Sequence, residues 1–147
     1  MRGKSTFLSA LGGAISSESK LRVGGKVVYT DGDLKTQEYL SLDTGKVAWL
    51  QQKDSFFSML TVRETLELAA FLELPTATKS DRSQRIQATM DSLGLSRLKD
   101  RKIGDATIHQ GLSGGEKRRL SLALELLSTP KLFLADEPTS GLVGRDG

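Results

Sequence analysis

The 147-residue sequence contains no cysteine, one histidine, three prolines and one tryptophan. Without cysteine there is no disulfide scaffold and no thiolate metal site, which agrees with a reducing compartment. The lone His109 lacks a second imidazole with which to hold a metal and reads as a loop residue. Long apolar runs are also missing: no segment approaches the roughly 20 residues that cross a bilayer, and Met1 does not open a charged-then-apolar leader. The chain is therefore expected neither to span a membrane nor to carry an export signal. An excess of one charge is absent too, with 21 basic residues against 18 acidic ones for a net of +3. The one dense basic cluster, Lys117-Arg118-Arg119 after Glu116, is too small for a nucleic-acid footprint and reads as a solvated helix face. What remains is 37% apolar and 27% charged residues, enough for one domain with a real core.

Periodicity divides the chain into helices and strands. Phe7, Leu8 and Leu11 recur at helical spacing and run into Gly12-Gly13, a short helix with a glycine stop. Val27 to Tyr29 before Asp31-Gly32 read as a strand entering a hairpin-type turn, and Lys46 to Leu50 as a second strand that ends on Gln51-Gln52. A capping box, Thr61 with Glu64, opens a helix carrying Val62, Leu66, Ala69 and Ala70 on one side and stopped by Pro75. Ser80 to Leu93 repeats the pattern with Ile86, Met90 and Leu93. From Ser113 a helix presents Leu120, Ala123, Leu124 and Leu127, and Pro130 closes it. The apolar run Leu132 to Ala135 follows a helix, which favours a central parallel strand over a hairpin arm.

Three short stretches carry possible chemistry. Gly3-Lys4-Ser5-Thr6 spells the last part of the phosphate loop G-x-x-x-x-G-K-[ST], in which backbone N–H groups curl around phosphates, the lysine reaches the terminal ones and the hydroxyl joins Mg²⁺. The same letters also arise by chance ahead of a helix. Asp136-Glu137 stand at the C-terminal end of the last strand, where parallel sheets bind ligands. An aspartate there can hold Mg²⁺ and its neighbour can activate water, although two carboxylates before Pro138 also make an ordinary polar strand exit. Ser113-Gly114-Gly115 put a hydroxyl and exposed N–H groups at the positive end of a helix, suited to an anion or simply to an N-cap.

Taken in order, "GKST", "LSGGE" and "LFLADEPTSGL" resemble the nucleotide-binding domain of ABC transporters, and "TVRETL" together with "GGEKRRLSLALELL" is similar to the G subfamily of half-size and pleiotropic-drug-type exporters. The resemblance runs over nearly the whole chain. It implies an α/β P-loop NTPase fold of the ABC ATPase type: a mostly parallel sheet, a small antiparallel region and a helical subdomain insert at 61–100, within an incomplete domain spanning 1–147. It implies ATP and Mg²⁺ as cofactors. Gly3, Lys4, Ser5 and Thr6 would bind phosphate, with Ser5, Gln52 and Asp136 around Mg²⁺. Glu137 would be the general base, assisted by Gln52 as the Q-loop glutamine. Ser113, Gly114 and Gly115 would cap the ATP of a second nucleotide-binding domain, in a homo- or heterodimer. A transmembrane domain of the same or a partner chain would meet the helical insert at the cytosolic face of a membrane, with no nucleic acid involved.

Departures from the family pattern shape the expected activity. The front of the phosphate loop and the aromatic residue that stacks on adenine are not in the chain, Val143 stands where the family has the D-loop aspartate, and no histidine follows Glu137. The expectation is an incomplete domain that binds ATP poorly by itself. Its parent function would be ATP hydrolysis driving export of a lipid or drug-like molecule. The alternatives are a catalytically inactive truncated remnant and a soluble ABC ATPase without a membrane partner; the "TVRETL" stretch argues against the latter.

Overall fold

Each of the three longest helices begins where a hydroxyl and a carboxylate three residues apart can satisfy the N–H groups that a helix start leaves without partners. In the computed structural model, which describes residues 3–11, 29–30, 37–38, 47–50, 55–105 and 111–135, all three capping boxes are closed. Thr61 caps α2 (Val62–Glu73), and Thr78 caps α3 (Lys79–Ser92). Ser113 caps α4 (Gly114–Leu127). The Thr61 N–H donates to Glu64 Oε2 at 2.8 Å while the Glu64 N–H donates back to Thr61 Oγ1 at 3.2 Å. The Thr61 N–H, together with the Thr61 hydroxyl that donates to Glu64 Oε2 at 2.9 Å, holds the Glu64 carboxyl below its ordinary range, and the Thr78 hydroxyl and N–H do the same for Asp81. The third helix therefore starts at Lys79 and not at Ser80: Thr78-x-x-Asp81 is the same device with the shorter acid, and it sets the boundary.

The remaining elements are short. Helix α1 spans Lys4–Leu11, in agreement with the expected first helix. Strands β1 (Tyr29–Thr30) and β2 (Gln37–Glu38) pair antiparallel, Tyr29 opposite Glu38, which gives the small antiparallel region; the turn at Asp31-Gly32 lies outside the described residues. Strand β3 (Val47–Leu50) pairs in parallel with β4 (Leu132–Ala135), Val47 opposite Leu132 and Leu50 opposite Ala135. The parallel arrangement expected for the last strand is thus observed. A 3₁₀ turn, Ser96–Leu98, follows α3 and had no clear signal in the sequence.

Helices α2, α3 and α4 pack on one another, and α4 also packs on β3. Their shared core holds Val62, Leu66 and Ala70 from α2, Ile86 and Met90 from α3, and Leu120, Ala123 and Leu127 from α4, closed by Leu95, Ile103 and Leu112. Leu93, Ala69 and Leu124 line its margin. The stripes legible as i, i+3, i+4 patterns are therefore the ones that meet. Helix α4 ends at Leu127, three residues ahead of Pro130, and Thr129 just before the proline leaves helical backbone with a left-handed φ of 49°. Its last carbonyl is held by the Arg85 guanidinium, which donates to Leu127 O at 2.9 Å.

One expectation is overturned. Of the basic residues after Glu116, Arg118 is buried with only 4% of its surface exposed, and Lys117 donates to the Gly104 carbonyl at 2.8 Å. This side of α4 faces protein and not solvent. Long cationic side chains can lie along apolar surface while their heads find acceptors, so a run of basic letters does not by itself mark a wet face.

Candidate functional site

The loop that opens α4 is supported from below by a chain of backbone hydrogen bonds. Segment 99–104 lies against 58–63: the Val62 N–H donates to Arg101 O, Arg63 to Lys99 O, Ile103 to Leu60 O and Gly104 to Ser58 O, all within 3.1 Å. The Leu112 N–H then donates to Ile103 O at 2.8 Å. Gly111 fits this approach because it has no side chain; a Cβ there would stand 2.7 Å from Ile103 O and 2.9 Å from the Gly104 Cα. Arg101 reaches Glu116 at 3.8 Å. Segment 99–104 thus fixes where the Gly111–Gly115 turn sits, a role that no local motif in that segment advertises.

Within the turn, Ser113 is an N-cap. Its N–H donates to Glu116 Oε2 at 2.7 Å, and its Oγ accepts from the Glu116 N–H at 3.3 Å. The backbone donation from Ser113 keeps the Glu116 carboxyl below its ordinary range, partly opposed by burial. Ser113 and Gly114 are exposed, and a Cβ on Gly114 would meet nothing within 4 Å. The Ser113 side chain also bonds the Glu116 carboxylate, which lowers that carboxyl further. An exposed helix start of this kind can serve both as a structural cap and as an anion contact.

The other predicted phosphate contacts begin α1. Gly3 has φ +115°, a left-handed value that glycine adopts without strain, and its carbonyl accepts from the Phe7 N–H at 2.9 Å as the first turn closes. Gly3, Lys4 and Thr6 are exposed, and no acidic residue occupies the first turn. These features suit a polyphosphate, since a carboxylate at this position would repel one. Among the described residues, α1 shares no extensive packing with another element.

Gln52, Asp136 and Glu137, the residues expected to handle Mg²⁺ and water, lie outside the described residues, as do Val143 and His109. What is described is the point from which they depart: the β3–β4 pair ends on Leu50 opposite Ala135. Gln52 follows two positions after the first of these, and Asp136-Glu137 directly after the second. Among the described residues no group of three or more His, Cys, Asp or Glu could hold a metal, and no helix is long and apolar enough to cross a membrane.

A carboxylate not singled out from the sequence stands beside this strand pair. Glu125 of α4 accepts from the Trp49 N–H of β3 at 3.1 Å. Burial raises its pKa above the usual glutamate value, against the lowering effect of the Trp49 bond and with a further push from Glu73. A raised carboxyl contributes stability that is fully present below the unfolded-state value and is lost as pH rises through the folded-state value. Glu125→Gln, which keeps the oxygen acceptor and removes the charge, should therefore gain stability relative to the parent between about pH 4 and pH 7. The gain should be a few tenths of a kcal/mol, about what solvent screening leaves for a half-exposed charge. Urea denaturation at both pH values checks the sign; a parent that gains on Glu125→Gln as pH rises would refute it.

Comparison with known proteins bears on the same segments. The family model described as ABC transporter matches residues 2–140. The chain is 41% identical over 141 residues to ABC transporter G family member 7 of Arabidopsis thaliana and 43% identical over 141 residues to member 13 of the same plant. To ABC transporter G family member STR2 of Petunia hybrida it is 41% identical over 140 residues. Each alignment covers 95% of this chain, but only 18%, 20% and 18% of the respective relative, so the chain spans about a fifth of the length of these curated relatives. Relatives carrying the G family name agree with the likeness read from "TVRETL" and "GGEKRRLSLALELL". With a family match over nearly its full length and a capped "LSGGE" turn in place, the chain belongs to the ABC transporter family.

Proposed function

We propose that this chain is nucleotide-binding sequence of a G-type ABC transporter, with the P-loop NTPase fold, in which ATP hydrolysis drives export of a lipid or drug-like molecule. The observation that carries the reading is the parallel β3–β4 pair, which ends with Leu50 beside Ala135 and so sends "QQ" and "DE" out from the same end of the sheet, the end where such folds bind ligands. In this reading Gly3, Lys4, Ser5 and Thr6 hold the phosphates, Lys4 as a point charge on the β- and γ-oxygens. Ser5, Gln52 and Asp136 would hold Mg²⁺, which supplies charge neutralisation when bound. Glu137 takes the proton of the attacking water, and Gln52 helps to orient it. Ser113, Gly114 and Gly115 of a second copy or homologue would close on the same nucleotide, for which the exposed turn at the start of α4 is suited.

The helical subdomain at 61–100 would face the transmembrane domain at the cytosolic side of the membrane. Leu68, Phe71 and Leu72 of α2 lie at i, i+3 and i+4 and are 45%, 62% and 65% exposed. Apolar side chains grouped on one helix face in this way suit a protein partner.

The test places the part of this chain that aligns with G family member 7 into the corresponding segment of that protein and measures ATP hydrolysis by the purified protein. Hydrolysis is expected, and Lys4→Ala should lower it by about 100-fold or more, the scale on which a charge-stabilising contact to the transition state acts. A well-folded hybrid without hydrolysis, beside an active parent relative, would favour the reading as a catalytically inactive remnant.

A further inference from the structure

Glu125 and Trp49 are 76 residues apart in sequence, yet they share a backbone-to-carboxylate hydrogen bond of 3.1 Å. In a parallel ladder the N–H and C=O of one residue point to the same side and alternate from residue to residue along the strand. With its N–H taken by Glu125, Trp49 turns its polar groups away from β4. The carboxylate therefore sits on the outward edge of β3, where a strand N–H otherwise needs another strand or water. Helix α4 packs on β3, so the bond adds a directional tie to an apolar contact. The two tied elements are also the ones that carry site residues: α4 begins at the Ser113–Gly115 turn, and β3 runs towards Gln52.

We propose that Glu125 is a positioning residue, a latch between α4 and the outer edge of β3 that fixes the spacing between the Ser113–Gly115 turn and the strand leading to Gln52. The consequence for catalysis rests on the nucleotide-binding reading above; the latch itself does not. Its partial burial shields the bond from competing water and strengthens it. A hydrogen bond to an ionised acceptor is also stronger than a neutral one. Because α4 is a continuous helix of 14 residues, a tie near its C-terminal end is transmitted to its first turn.

Trp49 is the single tryptophan of the chain, so its backbone amide is unambiguous in a tryptophan-selective ¹⁵N spectrum. Hydrogen exchange at that amide is the primary test. Glu125→Ala should speed exchange at Trp49 by about tenfold or more while leaving Leu120, in the interior of α4, unchanged in a uniformly labelled sample. Glu125→Gln, which retains an acceptor oxygen, should stay within about threefold of the parent. Unchanged exchange in a folded Glu125→Ala chain, or Glu125→Gln as fast as Glu125→Ala, overturns the latch. If the alanine variant does not fold, the glutamine variant decides alone, by whether Trp49 stays protected. In the hybrid transporter segment, Glu125→Ala should lower ATP hydrolysis and Glu125→Gln should restore it. Hydrolysis untouched by Glu125→Ala refutes the positioning role. A parent hybrid that hydrolyses no ATP refutes the nucleotide reading and leaves the exchange result to judge the latch.

Discussion

Glu137→Gln, introduced into the hybrid segment, is expected to lower ATP turnover by about 10²- to 10⁴-fold, the usual contribution of a positioned general base. Phosphoryl transfer leaves little covalent work to the protein, so most of the barrier reduction comes from placement of charge. The residue that accepts the proton of water still sets whether the nucleophile is ready. Glutamine keeps size and hydrogen bonding while removing basicity, so nucleotide binding should persist as turnover falls. The informative measurement is therefore a pair, nucleotide affinity and steady-state hydrolysis on one preparation. Asp136→Asn provides the contrast: if Asp136 holds Mg²⁺, the loss should be relieved in part by raising Mg²⁺, whereas the loss in Glu137→Gln should not respond. Turnover within a factor of three of the parent for Glu137→Gln would remove Glu137 from the proposed mechanism.

The second large effect concerns the fold itself. Leu120 is completely buried in the core that α4 shares with α2 and α3. Leu120→Ala deletes the packing of its outer carbons and leaves a cavity that a helix held on several sides cannot close. The expected cost is about 2–5 kcal/mol, a large share of the roughly 5–15 kcal/mol that keeps a typical domain folded. Urea denaturation should show the midpoint falling with little change in slope. Leu72→Ala, on the exposed side of α2, should stay within about 0.5 kcal/mol of the parent. Equal losses at the two positions would mean that the helices do not pack as described.

Both predictions draw on features of unequal legibility. The starts of α2 and α4 could be read from the letters because a capping box is a contact between residues three apart, and nothing distant can move it. The start of α3 lies one residue ahead of the periodic stretch at Ser80, because the Thr78-x-x-Asp81 box sets it. The apolar stripes of these helices were also legible, since a fixed 3.6-residue period carries them. The burial of Arg118, by contrast, depends on what lies opposite α4 in space. Its neighbours in sequence, Lys117 and Arg119, suggested solvent.

The candidate site divides along the same line. The sequence by itself determined the family, through three motifs in order, and the resemblance proposes which residues bear the expected chemistry, because it attaches to residue types at fixed spacing. It also determined where the main helices begin. Only the tertiary structure decided that β3 and β4 run side by side with Leu50 beside Ala135, that segment 99–104 carries the turn before α4, and that Glu125 closes the edge of β3 at Trp49. These contacts join residues from about 10 to 85 positions apart, and chain closure over such distances leaves no periodic trace in the letters. Local hydrogen bonding writes itself into neighbouring residues, whereas long-range pairing is fixed by the packing of whole elements.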